Sequence, residues 1–263
     1  MTQTDDKEEK PDYIGHRARL RERFMVDEGA SMPDYEILEL LLTMAIPRRD
    51  VKPIAKKLLK KFEDLKTVLH MPAHRLLDEC ELPPNAIVLL RLIHTCMIRS
   101  SYSGFNVSDE PMIRSWDSFE EFCWNSLAYK EVEEFWVYFF DEGFHYIGSK
   151  HLSTGTINRA AIHPREVLRA AVEKNAAKVI LAHNHPSGEA KPSDFDKAVT
   201  LELEALSDMM DFEVYDHLIV AKEGIFSFRA KGLITPKERS EDSTGRFDKK
   251  KKAKNKELSN KKI

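Results

Sequence analysis

Residues Ala182 to Asp196, AHNHPSGEAKPSDFD, decide how this chain is read. The apolar run before the first histidine, Val179-Ile180-Leu181-Ala182, has the length and content of a short buried strand. It delivers His183, Asn184 and His185. Residues two apart on an extended backbone point the same way, so both imidazoles can address one point in space. Pro186, Ser187 and Gly188 then force a turn. Ser193 and Asp196 stand at the start of what reads as a helix. Two imidazoles and a returning carboxylate make a three-ligand set suited to Zn2+, with a fourth position left for water. Ser193-x-x-Asp196 is also close to a capping box, which needs no metal, and the two roles do not exclude each other.

The full pattern, His183-x-His185-x7-Ser193-x2-Asp196, matches the JAMM (MPN-type) metallopeptidase motif. Its wording, His-Asn-His-Pro-Ser-Gly followed by Pro192-Ser193, resembles the RadC family, long labelled DNA repair proteins. Gly155-Thr156-Ile157-Asn158, His163-Pro164-Arg165-Glu166 and Asp216-His217-Leu218-Ile219-Val220 resemble further runs of that family. The resemblance covers about residues 105 to 234, with a weaker extension toward the N-terminus. It implies a JAMM/MPN-like (cytidine-deaminase-like) domain, zinc held by His183, His185 and Asp196, and hydrolysis by an activated water. It also implies that a Glu just before an upstream strand acts as general base and that Ser193 hydrogen-bonds the developing oxyanion. Glu133 aligns best with the RadC pattern of Glu, any residue, Phe, and shares strand parity with Phe135 and Val137. Glu134 stands beside it. Glu166 is the second candidate, though a first-turn acid also serves the helix dipole. Asp216-His217 reads as structural or as a support to a ligand imidazole.

The chain has 263 residues, enough for two small domains with a generous core. The formal net charge of −3 is unevenly spread. Residues 249–263 hold eight lysines against one glutamate; residues 105–248 hold 16 basic and 26 acidic side chains. The motif half is therefore a poor electrostatic host for nucleic acid and a compatible one for a cation. Cys80, Cys96 and Cys123 have no metal-site spacing. The polar start MTQTDDKEEK does not read as a signal peptide, and no apolar run approaches the ~20 residues of a membrane span. The expectation is a cytoplasmic protein with reduced thiols and no membrane association.

Four segments follow. Residues 1–10 read as disordered, 11–104 as an all-helical domain, 105–234 as the α/β zinc domain with a mixed sheet flanked by helices, and 235–263 as a disordered Lys-rich tail. The helical domain resembles the helix-hairpin-helix region of RadC proteins, with a departure. Such hairpins present backbone N–H groups to phosphate. Here Glu79-Cys80-Glu81-Leu82-Pro83-Pro84-Asn85 has no glycine, two prolines and two carboxylates. Tyr102 to Asp109 reads as the linker, Glu133–Phe140 and Phe144–Ser149 as a strand pair, and Gly155–Ala161 as a third strand. A helix from Pro164 to about Asn175 is expected to turn Val167, Leu168, Ala171 and Val172 inward. Strands are expected around Phe212–Ala221 and Ile225–Ala230.

Two functions of different class compete. One is a zinc-dependent metallopeptidase or isopeptidase acting on a peptide or protein substrate. The other is a RadC-type DNA repair or recombination accessory protein, its metal structural or vestigial. The Arg-rich first helix and the lysine tail favour the second, the latter through weak non-specific DNA binding; the acidic motif half and the broken hairpin favour the first. A metal nuclease is a third reading, weakened because only one carboxylate belongs to the motif.

Overall fold

The computed structural model describes residues 13–106, 111, 115–155 and 163–234. The expectations for residues 1–10, for most of the stretch 155–161 and for the tail beyond 234 lie outside the described residues. The described chain runs through six helices: α1 (Tyr13–Asp27), α2 (Asp34–Ala45), α3 (Lys52–Phe62), α4 (Leu65–His70), α5 (Ala73–Cys80) and α6 (Pro84–Phe105). It continues as α7 (Trp116–Leu127), β1 (Glu134–Phe140), β2 (Tyr146–Thr154), α8 (Pro164–Glu173), β3 (Lys178–Asn184), α9 (Asp194–Asp208), β4 (Glu213–Ala221) and β5 (Gly224–Ser227). Helices first and a mixed five-stranded sheet with helices after them is the architecture the sequence implied.

Local chemistry sets the helix boundaries. In α3, Ala55, Leu58 and Phe62 are buried while Lys56, Lys57, Lys60 and Lys61 face out, one apolar stripe at helical spacing. Glu63, at φ +76, ends it, and the Asp64 carboxylate accepts from Thr67 N at 2.6 Å to start α4. Pro84 sits in the first turn of α6, where its missing N–H costs nothing. The helix α6 has 22 residues and reaches Phe105. Tyr102–Gly104 is therefore helix, not linker. Tertiary burial explains the difference: Phe105 is buried against Phe119, Phe122 and Tyr146, with ring centroids 5.1, 5.2 and 5.5 Å away. Packing of that size outweighs the weak helix preference of Ser103-Gly104.

The sheet order is β2-β1-β3-β4-β5, with β3 and β4 parallel and every other neighbouring pair antiparallel. Strand alternation sorts its side chains onto two faces. Phe135, Val137, Phe139, Val179, Leu181 and Ile219 join α8 and α9 in one core. Tyr138, Phe140, Ile180, Ala182, Leu218 and Val220 join α7 and Phe105 in the other. On α8 the inward face is Val167, Ala170 and Ala171, with Leu168 half-buried. Val172, expected inward, is exposed, because five residues of helix carry it off the stripe that starts at Val167. The last strand ends at Ser227, and Phe228–Ala230 leave the sheet in a turn.

Candidate metal centre

His183 is the penultimate residue of β3 and continues the parity of Val179 and Leu181, so its ring lies on the α9 face. His185 follows the strand end, its N–H donating to Val220 O at 2.9 Å. The chain then turns: Gly188 N donates to His185 O at 3.1 Å, and Gly188 takes φ +96, a conformation that suits glycine. Ser193 is the N-cap of α9 and forms the expected capping box. Asp196 N donates to Ser193 Oγ at 3.2 Å, and Ser193 N donates to Asp196 Oδ2 at 2.7 Å. The Ser193 hydroxyl also donates to Asp196 Oδ2 at 2.6 Å. These bonds hold the Asp196 carboxylate at the two histidines.

The sequence-derived ligand set is thus brought together. His183 Nε2 lies 3.0 Å from His185 Nε2 and 3.2 Å from Asp196 Oδ1, and His185 Nε2 lies 3.6 Å from Asp196 Oδ2. Tetrahedral zinc with ligand bonds of about 2.0–2.1 Å separates its ligands by about 3.3 Å, so these spacings suit one ion. The donor chemistry agrees. Glu189 O can only accept, so His185 Nδ1, 3.3 Å away, carries the proton and Nε2 of the neutral ring presents a lone pair. Nitrogen lone pairs aimed at one another across 3.0 Å repel, and a cation between them removes the repulsion. The His183 ring is fully buried, the Asp196 side chain nearly so, and the His185 side chain keeps 19% exposure, which leaves the cluster open on that side.

Electrostatics match an anionic pocket for a cation. Burial alone would raise the Asp196 pKa, but the His183 and His185 rings beside it and the hydrogen bonds from Ser193 outweigh it and hold the carboxyl well below its usual range. The Asp196 carboxylate beside it raises the His185 pKa, against burial, and the charge of Glu133 pushes the same way. Glu133 precedes β1. Phe135 pairs with His183 in the antiparallel β1–β3 register, and the same register continued two residues sets Glu133 opposite His185. Gly155 N donates to Glu133 O at 2.8 Å and closes this end of the β1–β2 pair.

The other two carboxylate candidates are engaged elsewhere. Glu134 accepts from Trp136 Nε1 at 3.1 Å and pairs with Lys130 at 3.0 Å. Glu166 pairs with Arg169 at 2.7 Å in the first turn of α8. Asp216 accepts from His217 N, Ser227 Oγ and Arg229 N, so it braces the β4–β5 corner.

Two residues at the site, Asn184 and Thr200, escaped the sequence reading as participants, and His217 was read there as structural or as a support to a ligand imidazole. Asn184, fully buried between the two histidines, accepts from Glu134 N at 2.8 Å and donates to Val132 O at 3.0 Å, which clamps the segment carrying Glu133. His217 Nε2 meets His183 Nδ1 at 2.9 Å, and Thr200 Oγ1 meets His217 Nδ1 at 2.6 Å. Burial drives the His217 pKa far below its ordinary value, and the neighbouring His183 ring adds to the drop. Asn184 stood inside the motif; His217 was weighed only as a support, and nothing local singled out Thr200.

The basic features of the helical half are partly used within the fold. Arg17 donates to the carbonyls of Ile46, Pro47 and Arg49 at 2.9, 2.6 and 2.6 Å, and Arg23 pairs with Glu36 at 2.7 Å. In the α5–α6 connection, Glu81 N donates to Leu77 O and Leu82 N to Leu76 O, while Pro83 and Pro84 have no N–H. A cleft of about 430 Å³ between α3–α5 and the β4–β5 hairpin is lined by Lys61, Asp64, Lys66, Arg75, Tyr129 and Lys222, among others. It contains none of the candidate metal-ligating residues.

All three cysteines are free, and among the described residues no helix is long and apolar enough to cross a membrane. Comparison with known proteins gives a consistent result. A family model described as a RadC-like JAB domain matches residues 113–233. A UPF0758 protein of Ruegeria pomeroyi is 38% identical over 225 residues, which make up 85% of this chain and all of that protein. A UPF0758 protein of Rhodobacter capsulatus is 36% identical over 215 residues, 82% of this chain and again all of that protein. Full-length likeness at this identity, together with a domain match enclosing the histidine cluster, shows that the chain belongs to the RadC (UPF0758) family and carries its JAB domain in the C-terminal half.

Proposed function

We propose that this protein is a zinc-dependent hydrolase of JAMM type that cleaves a peptide or isopeptide bond. The observation that carries the reading is the convergence of His183 Nε2, His185 Nε2 and an Asp196 carboxylate at 3.0–3.6 Å, with one side open. When bound there, zinc supplies Lewis acidity, polarising a carbonyl and acidifying water. The chain's own residues do the rest. Glu133, across the strand pair from His185, accepts the proton of the attacking water and passes it to the leaving amine. Ser193 has one hydroxyl proton, directed at Asp196 Oδ2; rotation about its Cβ–Oγ bond turns that proton to the oxyanion while Ser193 N keeps Asp196 in place. Asn184 keeps Glu133 in register with the histidines.

The test separates metal from base. Glu133→Gln should bind zinc as the wild type does and lose hydrolysis by ~10²–10⁴-fold. Glu166→Gln should lose neither. The opposite pattern, an active Glu133→Gln and a dead Glu166→Gln, would assign the base to Glu166. A second reading, a DNA repair or recombination accessory role, draws on the eight lysines after Phe247. It loses support from the internal use of Arg17 and Arg23 and from the α5–α6 connection, which offers no donor at Pro83 or Pro84.

A further inference from the structure

We propose that His217, anchored by Thr200, is a positioning residue that fixes the proton of His183 on Nδ1 and so keeps the His183 Nε2 lone pair aimed at the metal centre. The inference rests on the metal-site reading above.

The argument is a count of protons. Thr200 Oγ1 lies 2.6 Å from Asp196 O and 2.6 Å from His217 Nδ1. A backbone carbonyl only accepts, so the single hydroxyl proton of Thr200 goes to Asp196 O. Thr200 Oγ1 must then accept from His217, which places the His217 proton on Nδ1. His217 and Thr200 are buried, and the partners of the ring are a hydroxyl and another imidazole, with no carboxylate among them. An imidazolium in that setting is uncompensated and costly, so the ring is neutral and its Nε2 is bare. Bare Nε2 faces His183 Nδ1 at 2.9 Å, and that contact is a hydrogen bond only if His183 Nδ1 carries a proton. The lone pair of a neutral His183 is then on Nε2, beside His185 Nε2 and Asp196 Oδ1.

Hydrogen bonds run in series from His183 through His217 and Thr200 to the Asp196 carbonyl, while the Asp196 carboxylate faces the bare His183 Nε2 at 3.2 Å, where a cation would join them. Aromatic packing holds the two imidazoles at fixed angles. Phe228 stacks on His217 at 4.8 Å and 18°, and Phe135 stacks on His183 at 5.7 Å and 19°. Ligand orientation, tautomer and the helix that carries the third ligand are thereby coupled.

The experiment uses the full chain with 15N-labelled histidine and zinc as the probe. In the metal-free wild type, nitrogen shifts should show His217 protonated on Nδ1 only, and His183 Nδ1 protonated and bonded to His217 Nε2. Zinc competition against a chelator should show His217→Ala weakened about 10–100-fold, the range for loss of a partner behind a ligand. Thr200→Val should weaken zinc in the same direction and populate the other His217 tautomer, while Thr200→Ser should match the wild type. Should His217→Ala not fold, the two Thr200 variants decide the matter. The proposal is overturned if wild-type His183 carries its proton on Nε2 alone, or if Thr200→Val changes neither the tautomer nor the zinc affinity. A wild type that takes up no zinc sinks the hydrolase reading instead, and the nitrogen shifts still decide the relay.

Discussion

Replacing Asn184 with alanine tests whether one buried amide ties the segment of Glu133, the proposed base, to the candidate metal centre. Asn184 makes two well-formed bonds, from Glu134 N at 2.8 Å and to Val132 O at 3.0 Å; the 3.4 Å approach to Lys130 O adds little. Each bond contributes about 1 kcal/mol net, and stranding a buried partner costs about 1–3 kcal/mol. Val132 is exposed and Glu134 half-buried, so water reaches part of the gap. The expected loss is therefore about 2–3 kcal/mol by urea denaturation. Amide exchange at Glu134 should speed up roughly tenfold, since the bond that protects it is gone. The histidines stay on their backbone ladder, held by the Phe135–His183 pair and by His185 N to Val220 O, so zinc content should be unchanged. Hydrolysis should fall about 10²-fold, the cost of misplacing a catalytic group by about 1 Å. In a Glu133→Gln background the same substitution should cost almost no further activity, because both act through one group. Wild-type stability together with unchanged Glu134 exchange would refute the clamp. Loss of zinc would show that Asn184 serves the ligands rather than the base.

Acid should weaken the fold through the histidines that join α4 and α6 to α7. His70 Nε2 lies 3.1 Å from Asn125 Oδ1 and His94 Nε2 lies 2.9 Å from Asn125 O. Burial lowers both pKa values, and with Arg91 beside it His94 falls to about 4. The unfolded chain therefore takes up protons first, so this contribution is intact above about pH 6.5 and is lost as pH falls toward 4. His94 alone accounts for at most about 3 kcal/mol, and denaturation at pH 7 and pH 4.5 should show a smaller difference in His94→Gln. DNA binding should be non-specific and reside in the lysine tail: truncation after Thr235 should abolish most of the affinity and most of its salt dependence in a duplex titration. Equal binding by residues 11–104 alone would restore the repair reading.

Much of this arrangement could be read from local signals. The apolar run before His183, the prolines and glycine after His185, and the Ser193 cap each act within a few residues, and the structure has the strand, the turn and the capping box where they were expected. What escaped depends on contacts distant in sequence. Asn184 binds a segment 50 residues upstream, and His217 meets His183 across 34 residues through a parallel register that no local pattern encodes. Ser103-Gly104 looked like a breaker because the burial that holds Phe105 comes from α7 and β2. Val172 was assigned to the α8 core because it is apolar, yet its angle on the helix turns it to solvent.

Metal analysis after zinc reconstitution tests the central claim most directly. The full chain should hold one zinc, and X-ray absorption should show two imidazole nitrogens at about 2.0–2.1 Å with oxygen completing the shell. Paired His183→Ala/His185→Ala, or Asp196→Ala, should abolish stoichiometric binding. A wild type without stoichiometric zinc, or a double-histidine variant that retains it, would contradict the account.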